Sequence, residues 1–279
     1  MNILLPTDFS ENSWNAISYA IDFFDPVVCN FYLLHVSRMD TFMAGDSSYS
    51  PTKDQIEDIY IKPSKLKLKA LLKEINDKRQ PNKNHKFYTL ADYGFFLEAI
   101  RTCVKKKKID LLVMGTKGAS GLREYIVGSN TGDVITKVKC TTLVVPEAAK
   151  YSSLKEIAFP TDFNLSYDLM ALQPFTNILK MVKASLRIIH IHKKDTKLNT
   201  EQLQNKDVLN DYFEEFEPSF HCLTNRNVED ALQCFVESRD INMIVMVAKN
   251  LNYFQSILFH SNVEKITYHT DIPFLVIHE

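Results

Sequence analysis

The 279-residue sequence predicts an α/β fold of two tandem domains, each a doubly wound parallel sheet of five strands. Three observations support this prediction. Short apolar segments alternate with longer segments of helical periodicity, as is typical of parallel sheets covered by helices on both faces. The same order of segments occurs twice along the chain. A linker containing alanines and serines, residues 146–154, separates the two copies.

The repeat rests on four apolar segments that are predicted strands. They recur in the same order, residues 2–10 as 156–164, 31–36 as 186–191, 109–114 as 241–246 and 142–145 as 274–277. Both copies of the first segment contain Pro-Thr-Asp-Phe. We therefore predict one domain at residues 1–147 and a second at residues 154–279.

The remaining elements of the first copy follow from periodicity. Residues 10–24 carry apolar side chains at three-and-four spacing, which predicts a helix with Ser10 as its N-cap. Two further helices are predicted at residues 65–75 and 95–104. The third strand of each copy is predicted at residues 86–90 and 220–223.

The two copies differ in length. His35 precedes its counterpart His190 by 155 residues, whereas Ile109 precedes Ile241 by 132, so the first copy carries 23 additional residues. These must lie within residues 37–63, which we predict to be a long loop. A loop of this length in a compact domain is a lid, an interface arm or a mobile segment, and the sequence does not choose among them.

A glycine pattern after the fourth predicted strand is suited to binding a phosphate group. Gly115 and Gly118 follow the strand, nine residues intervene, and Gly128 and Ser129 precede a helix. Glycine lets the backbone turn tightly and approach a ligand. A helix start offers unpaired N–H groups and the positive end of the macrodipole, both of which favour an anion. The chain contains neither a Walker A triplet nor the Rossmann glycine fingerprint.

This spacing, Gly-x-x-Gly, nine residues and Gly-Ser, resembles the ATP-binding signature of the universal stress protein family. The resemblance covers essentially the whole chain. It implies the adenine nucleotide α-hydrolase-like fold, with the two domains packed as an internal pseudo-dimer. In that arrangement the last strands of the two copies, residues 142–145 and 274–277, would meet as edge strands and cover each other.

The resemblance also implies which residues hold the nucleotide. Asp8, at the end of the first strand, would bind the ribose hydroxyls, and the backbone of Val36 would contact the adenine edge. Gly115 would lie against the ribose. The phosphates would be held by Gly118, Gly128, Ser129 and Asn130, with Thr131 as a weaker addition. Asp8 has an alternative structural role, because Asp after Pro-Thr is a common turn or capping residue.

The second copy has lost the glycine pattern. Val247, Asn250 and His260 stand at the positions of the three glycines, and all seven glycines of the chain lie between positions 45 and 132. Side chains there would stand where backbone must approach phosphate, so we predict nucleotide binding in the first copy alone. Four large apolar residues of the second copy are predicted to pack into the vacated site: Tyr253, Phe254, Leu258 and Phe259.

Composition limits the other partners. With 33 Lys and Arg against 34 Asp and Glu, the net charge of −1 gives no reason to expect nucleic acid or an anionic membrane. Five scattered cysteines indicate reduced thiols. The amino terminus does not resemble a signal peptide, and no apolar run reaches the ~18 residues that a membrane span requires. We therefore expect a cytoplasmic protein.

The resemblance implies an ATP-binding, nucleotide-responsive stress factor with one site, for ATP, ADP or AMP, in the first domain. Mg²⁺ would be held through the phosphates. Asp8 is the only carboxylate placed in the pocket, so we predict no catalytic residues and at most weak ATP hydrolysis. His190 and His192 point to the same face of a predicted strand. We favour histidines that are hydrogen-bonded at the strand end over a metal site. Two alternatives are a slow ATPase and a nucleotide-independent scaffold, and an unidentified protein partner or a homodimer is compatible with each.

Overall fold

A computed structural model describes residues 1–38, 52–116, 128–164, 168–192, 197–225, 228–248 and 272–278. Its strands are β1 (Asn2–Pro6), β2 (Cys29–Ser37), β3 (His85–Tyr93), β4 (Leu111–Gly115), β5 (Thr142–Val145), β6 (Glu156–Pro160), β7 (Ser185–His192), β8 (Ser219–Thr224), β9 (Met243–Val247) and β10 (Phe274–Ile277). Its α-helices are α1 (Glu11–Phe23), α2 (Lys53–Ile56), α3 (Lys62–Arg79), α4 (Phe96–Lys107), α5 (Ser129–Lys137), α6 (Gln173–Val182), α7 (Thr200–Tyr212) and α8 (Val228–Ser238).

All ten of these strands belong to one sheet, in the order β3-β2-β1-β4-β5-β10-β9-β6-β7-β8. Every pair is parallel except β5 with β10, which is antiparallel and places Leu143 opposite Leu275. The predicted fold class is therefore confirmed, with the two five-stranded halves meeting at their last strands. The exact domain limits, 1–147 and 154–279, remain a prediction.

The core lies on both faces of this sheet. Alternate residues of the first strand point to opposite sides, and Ile3, Leu4 and Leu5 are all fully buried. On one face, a single apolar cluster contains residues of α1, α3 and both strands of the seam. On the other face, α4 and α5 cover the first half with Ile100 and Val134. The first half is thus doubly wound, with helices packed on both faces of its strands.

The segment inserted in the first copy is more helical than we predicted. Instead of a loop over residues 37–63, the structure shows α2, a π-helical turn at Glu57–Ile61 and α3 as one continuous helical stretch. A capping box between Thr52 and Gln55 starts it. The predicted helix at 65–75 was therefore too short, because this stretch is largely exposed and lacks the apolar periodicity of a packed helix. Residues 39–51 of the insertion lie outside the described residues.

The predicted linker is packed onto the first half. Asn15 in α1 donates two hydrogen bonds from Nδ2, to the carbonyl oxygens of Pro146 (3.0 Å) and Ala149 (2.9 Å). Tyr151 packs edge-on against Tyr19 of α1, with ring centroids 5.6 Å apart. These contacts fix how the chain leaves β5. None of the described helices has the length and apolar character needed to cross a bilayer.

Candidate functional site

A cavity of about 380 Å³ opens where β1, β2 and β4 end and α5 begins. β1 lies between β2 and β4 in the sheet, and its two neighbours are reached in opposite directions along the chain. This is the switch point at which doubly wound sheets bind ligands. Six predicted site residues line the cavity: Asp8, Val36, Gly115, Gly128, Ser129 and Asn130. The seventh, Gly118, lies outside the described residues.

Asp8 has the turn role that the sequence offered as an alternative, and its binding of a ligand stays a prediction. Its Oδ1 accepts hydrogen bonds from the backbone N–H of Ser10 (3.1 Å) and from the Ser10 hydroxyl (2.5 Å). Ser10 in turn caps α1 by accepting from the backbone N–H of Ser13, as predicted. Asp8 therefore shapes the turn into α1 while its exposed carboxylate lines the cavity.

The turn that carries Asp8 is an unusual one. Phe9 has φ of 63°, a left-handed conformation that is rare for a bulky residue. Its backbone N–H donates to Thr7 Oγ1 at 3.0 Å, and its ring lies 4.6 Å from that of His35. His35 Nδ1 donates to the Thr7 carbonyl oxygen at 2.8 Å. These contacts, rather than a glycine, hold Asp8 at the cavity wall.

The same turn occurs in the second copy. Phe163 has φ of 59° and donates its N–H to Thr161 Oγ1 at 3.0 Å. His190 Nδ1 donates to the Thr161 carbonyl oxygen at 3.0 Å, and His192 Nε2 lies 3.1 Å from Thr224 Oγ1. Both histidines thus have partners at the strand ends, and burial lowers the pKa of His190. Within the described ranges, no group of three or more His, Cys, Asp or Glu side chains could hold a metal ion.

Gly115 is required by packing as well as by its place at the cavity. A Cβ added to it would lie 2.8 Å from Asn12 Oδ1 and 3.1 Å from the Asn12 carbonyl oxygen. The absence of a side chain lets β4 pass close to the first turn of α1. The sequence suggested only close approach to a ligand, so this second reason was missed.

The start of α5 forms the opposite wall. Gly128 precedes it with φ of −63° and ψ of 155°, and no side chain of the described residues caps this helix. The backbone N–H groups of its first turn therefore have no partner within the helix. The Thr131 hydroxyl donates to the Gly115 carbonyl oxygen at 2.8 Å. Thr131 thus ties α5 to β4. Its hydroxyl proton is donated to the Gly115 carbonyl oxygen, whereas the sequence analysis assigned this hydroxyl to a phosphate.

Several lining residues were not predicted. Arg38, just beyond β2, donates from Nη2 to Asn130 Oδ1 at 2.6 Å. Phe96 and Met114 line the cavity together with Val36. The cavity thus has an apolar side and a side with N–H groups and a guanidinium. A basic residue directly after a strand end was the available signal for Arg38.

In the second copy, two side chains of α7 form hydrogen bonds with the equivalent turn. Val247 stands in place of Gly115 and is 2% exposed. From α7, Gln202 Nε2 donates to the Asp162 carbonyl oxygen (2.8 Å) and Asn205 Nδ2 to that of Phe163 (2.7 Å). The residues predicted to replace or fill the glycine loop lie outside the described residues, namely Asn250, Tyr253, Phe254, Leu258, Phe259 and His260.

These features define a class of protein: an α/β fold duplicated within one chain, with a ligand-sized cavity at a switch point beside a helix start. The model of the universal stress protein family matches residues 1–146. The chain therefore belongs to the universal stress protein family.

Similar proteins agree with this assignment. Universal stress protein MJ0531 of Methanocaldococcus jannaschii is 28% identical over 148 residues, which is 53% of this chain and 83% of that protein. A universal stress protein structure from Archaeoglobus fulgidus covers 99% of this chain and 97% of its own, at 18% identity and a TM-score of 0.69, so it shares the fold. Another universal stress protein was solved in complex with cAMP and covers 53% of this chain and 97% of its own, at 19% identity and a TM-score of 0.37.

Proposed function

We propose that the first half of this chain binds one adenine nucleotide and that the protein responds to it. The observation that carries the proposal is that six residues singled out by the family resemblance, from positions 8 to 130, line one cavity. A volume of about 380 Å³ is within the range of small-molecule sites, about 300 to 1,000 Å³. Membership of a family with nucleotide-binding members supports the same function.

The chemistry of the walls suggests how the nucleotide would lie. An adenine ring suits the apolar side at Val36, Phe96 and Met114. The Asp8 carboxylate would accept from ribose hydroxyls, and the phosphates would extend to the N–H groups at the start of α5. Mg²⁺, if it accompanies the phosphates, would depend on their oxygens, because Asp8 is the only carboxylate among the described lining residues.

The experiment compares wild type with Gly128→Val. Valine tolerates the φ and ψ of Gly128, so the fold should persist while the branched side chain obstructs the helix start. Ala148→Val, at an exposed linker residue, is the matched control. The small molecule released on denaturation would be identified by mass spectrometry, and ATP would be titrated into each protein by calorimetry.

We expect one equivalent of adenine nucleotide per chain in wild type and Ala148→Val, and none in Gly128→Val. Absence of binding in wild type would contradict the proposal and favour the scaffold. Release of phosphate from ATP that disappears in Gly128→Val would instead show the slow ATPase.

A further inference from the structure

Arg38 and Asn130 form a bridge across the cavity. Arg38 follows β2, Asn130 lies in the first turn of α5, and the two are 92 residues apart in sequence. Since β1 separates β2 from β4 and neighbouring strands lie about 4.8 Å apart, the bridge crosses about 10 Å of sheet edge. Arg38 and Asn130 both line the cavity, so the bridge joins two parts of its lining that come from β2 and α5.

The partner of Arg38 is a weak one for a guanidinium. Arg38 donates to a neutral amide oxygen at 2.6 Å and forms no ion pair within the described residues. Guanidinium groups bind carboxylate and phosphate more strongly, because such hydrogen bonds are charge-assisted and are often bidentate. An anion at the start of α5 would lie beside Asn130 and within reach of the same guanidinium.

We propose that Arg38 reads the phosphate chain of the bound nucleotide. The guanidinium exchanges the Asn130 amide oxygen for phosphate oxygens, so the site selects nucleoside di- and triphosphates over nucleosides. This inference rests on the proposed nucleotide function. It adds a specificity-determining residue outside the glycine motif and connects the end of β2 with the start of α5 through the ligand.

Arg38 is the only cationic side chain among the described lining residues, so its removal should affect phosphate and leave the nucleoside contacts in place. A hydrogen bond to a charged group contributes enough that its loss weakens binding by about tenfold or more. Adenine and ribose contact other residues, so the affinity for adenosine should change less than about twofold. A bridge with a purely structural role would weaken both ligands alike.

The test is calorimetric titration of ATP, ADP and adenosine into wild type, Arg38→Ala, Arg38→Lys and Arg239→Ala. Arg239 is exposed beyond α8 in the second half, so its replacement makes the same charge change away from the cavity. We expect Arg38→Ala to lose at least tenfold in affinity for ATP and ADP and to keep its affinity for adenosine. Arg38→Lys keeps the charge without the planar fork, so its affinity for ATP and ADP should lie between those of wild type and Arg38→Ala. Arg239→Ala should bind all three ligands as wild type does.

Three results would overturn the inference. Equal losses for ATP and adenosine in Arg38→Ala would make the bridge structural, and an unchanged ATP affinity would remove Arg38 from the site. In both cases the proposed nucleotide function would stand. If wild type bound neither ATP nor adenosine, the nucleotide function would fail together with this role for Arg38.

Discussion

At the scale of single residues, a position can satisfy the fold and the ligand at once. Gly115 lines the cavity, yet its missing side chain also makes room for Asn12. Asp8 shapes the turn before α1 and presents its carboxylate to the same space. A substitution at either position therefore tests stability as well as binding.

Gly115→Ala should destabilise the protein by about 1 to 3 kcal/mol, as overpacking does in well-packed regions. The new methyl group would approach Asn12 Oδ1 to 2.8 Å, so α1 or β4 must shift. The free energy of unfolding in urea measures the loss. In the Asn12→Ala background the loss should be smaller but not zero, because the Asn12 carbonyl oxygen would remain 3.1 Å away. An unchanged stability in the single variant would contradict this account.

Site residues were predictable where local sequence determines geometry. Gly128 and Asp8 stand at element ends that apolar patterning reveals. The bond from Arg38 to Asn130 was not predictable, because it depends on the order of strands between them. Likewise, the bond from Thr131 to the Gly115 carbonyl depends on the path of the backbone around the cavity.

At the scale of elements, α7 stabilises the turn of the second copy through side-chain hydrogen bonds. Gln202 accepts the N-cap N–H of Asn199 through Oε1 (3.0 Å) and donates through Nε2 to the Asp162 carbonyl oxygen (2.8 Å). One side chain thus caps the helix and fixes the turn. Substitution of Gln202 tests these contributions.

Gln202→Ala removes both bonds and should cost about 1 to 2 kcal/mol of unfolding free energy. Gln202→Glu keeps the acceptor of the capping box but replaces the donor to Asp162 by a carboxylate oxygen, so its cost combines the lost hydrogen bond with the effect of the new charge. Chemical denaturation of the two variants and wild type measures both. If Gln202→Ala were as stable as wild type, the turn would be held by other contacts.

Elements were predictable in proportion to their burial. The strands at residues 142–145 and 274–277 were placed correctly because all four side chains of each are buried. The stretch over α2 and the π-helical turn has no buried residues, so apolar periodicity could not reveal it. Its start is encoded by the Thr52 capping box, a signal that apolar patterning does not include.

At the scale of the whole molecule, burial lowers the pKa of three histidines, His190, His221 and His278. All three lie in the second half or at its end. His278 lies next to α5 of the first half, where its side chain forms a hydrogen bond with the backbone of Ile135. Because the neutral forms are favoured in the folded protein, stability should depend on pH.

Stability should fall as the pH drops below about 6.5, the ordinary pKa of histidine, because the unfolded chain then binds more protons than the folded one. Urea unfolding at pH 7.5 and pH 5.5 measures the difference. His190→Asn can retain a donor to Thr161 but cannot take up the proton, so its loss on acidification should be smaller than that of wild type. Equal losses would exclude His190 as a contributor.

The seam between the halves makes a second whole-molecule prediction. A fragment of residues 1–147 would expose β5, which β10 covers in the full chain. An uncovered edge strand presents unpaired backbone N–H and C=O groups that can pair with another chain. Two copies of β5 can pair antiparallel about a twofold axis. We expect the fragment to have the mass of a dimer in size-exclusion chromatography with light scattering. The full chain provides the reference, and a monomeric fragment at micromolar concentration would contradict the prediction.

Two features of the sheet were predictable, and each had its own source. Doubly wound topology followed from alternating segments, and the pairing of β5 with β10 followed from the family resemblance. The hydrogen bonds from Gln202 and Asn205 to the turn of the second copy were not predictable, since both are ordinary polar residues of a helix.

The pairing of β5 with β10 also bears on how the protein behaves at different abundances. Two separate chains joined by such a seam would come apart on dilution, by mass action. Here a short tether keeps the partners at an effective concentration in the millimolar range. The pairing of β5 with β10 is therefore independent of expression level. Each molecule always contains one first half paired with one second half.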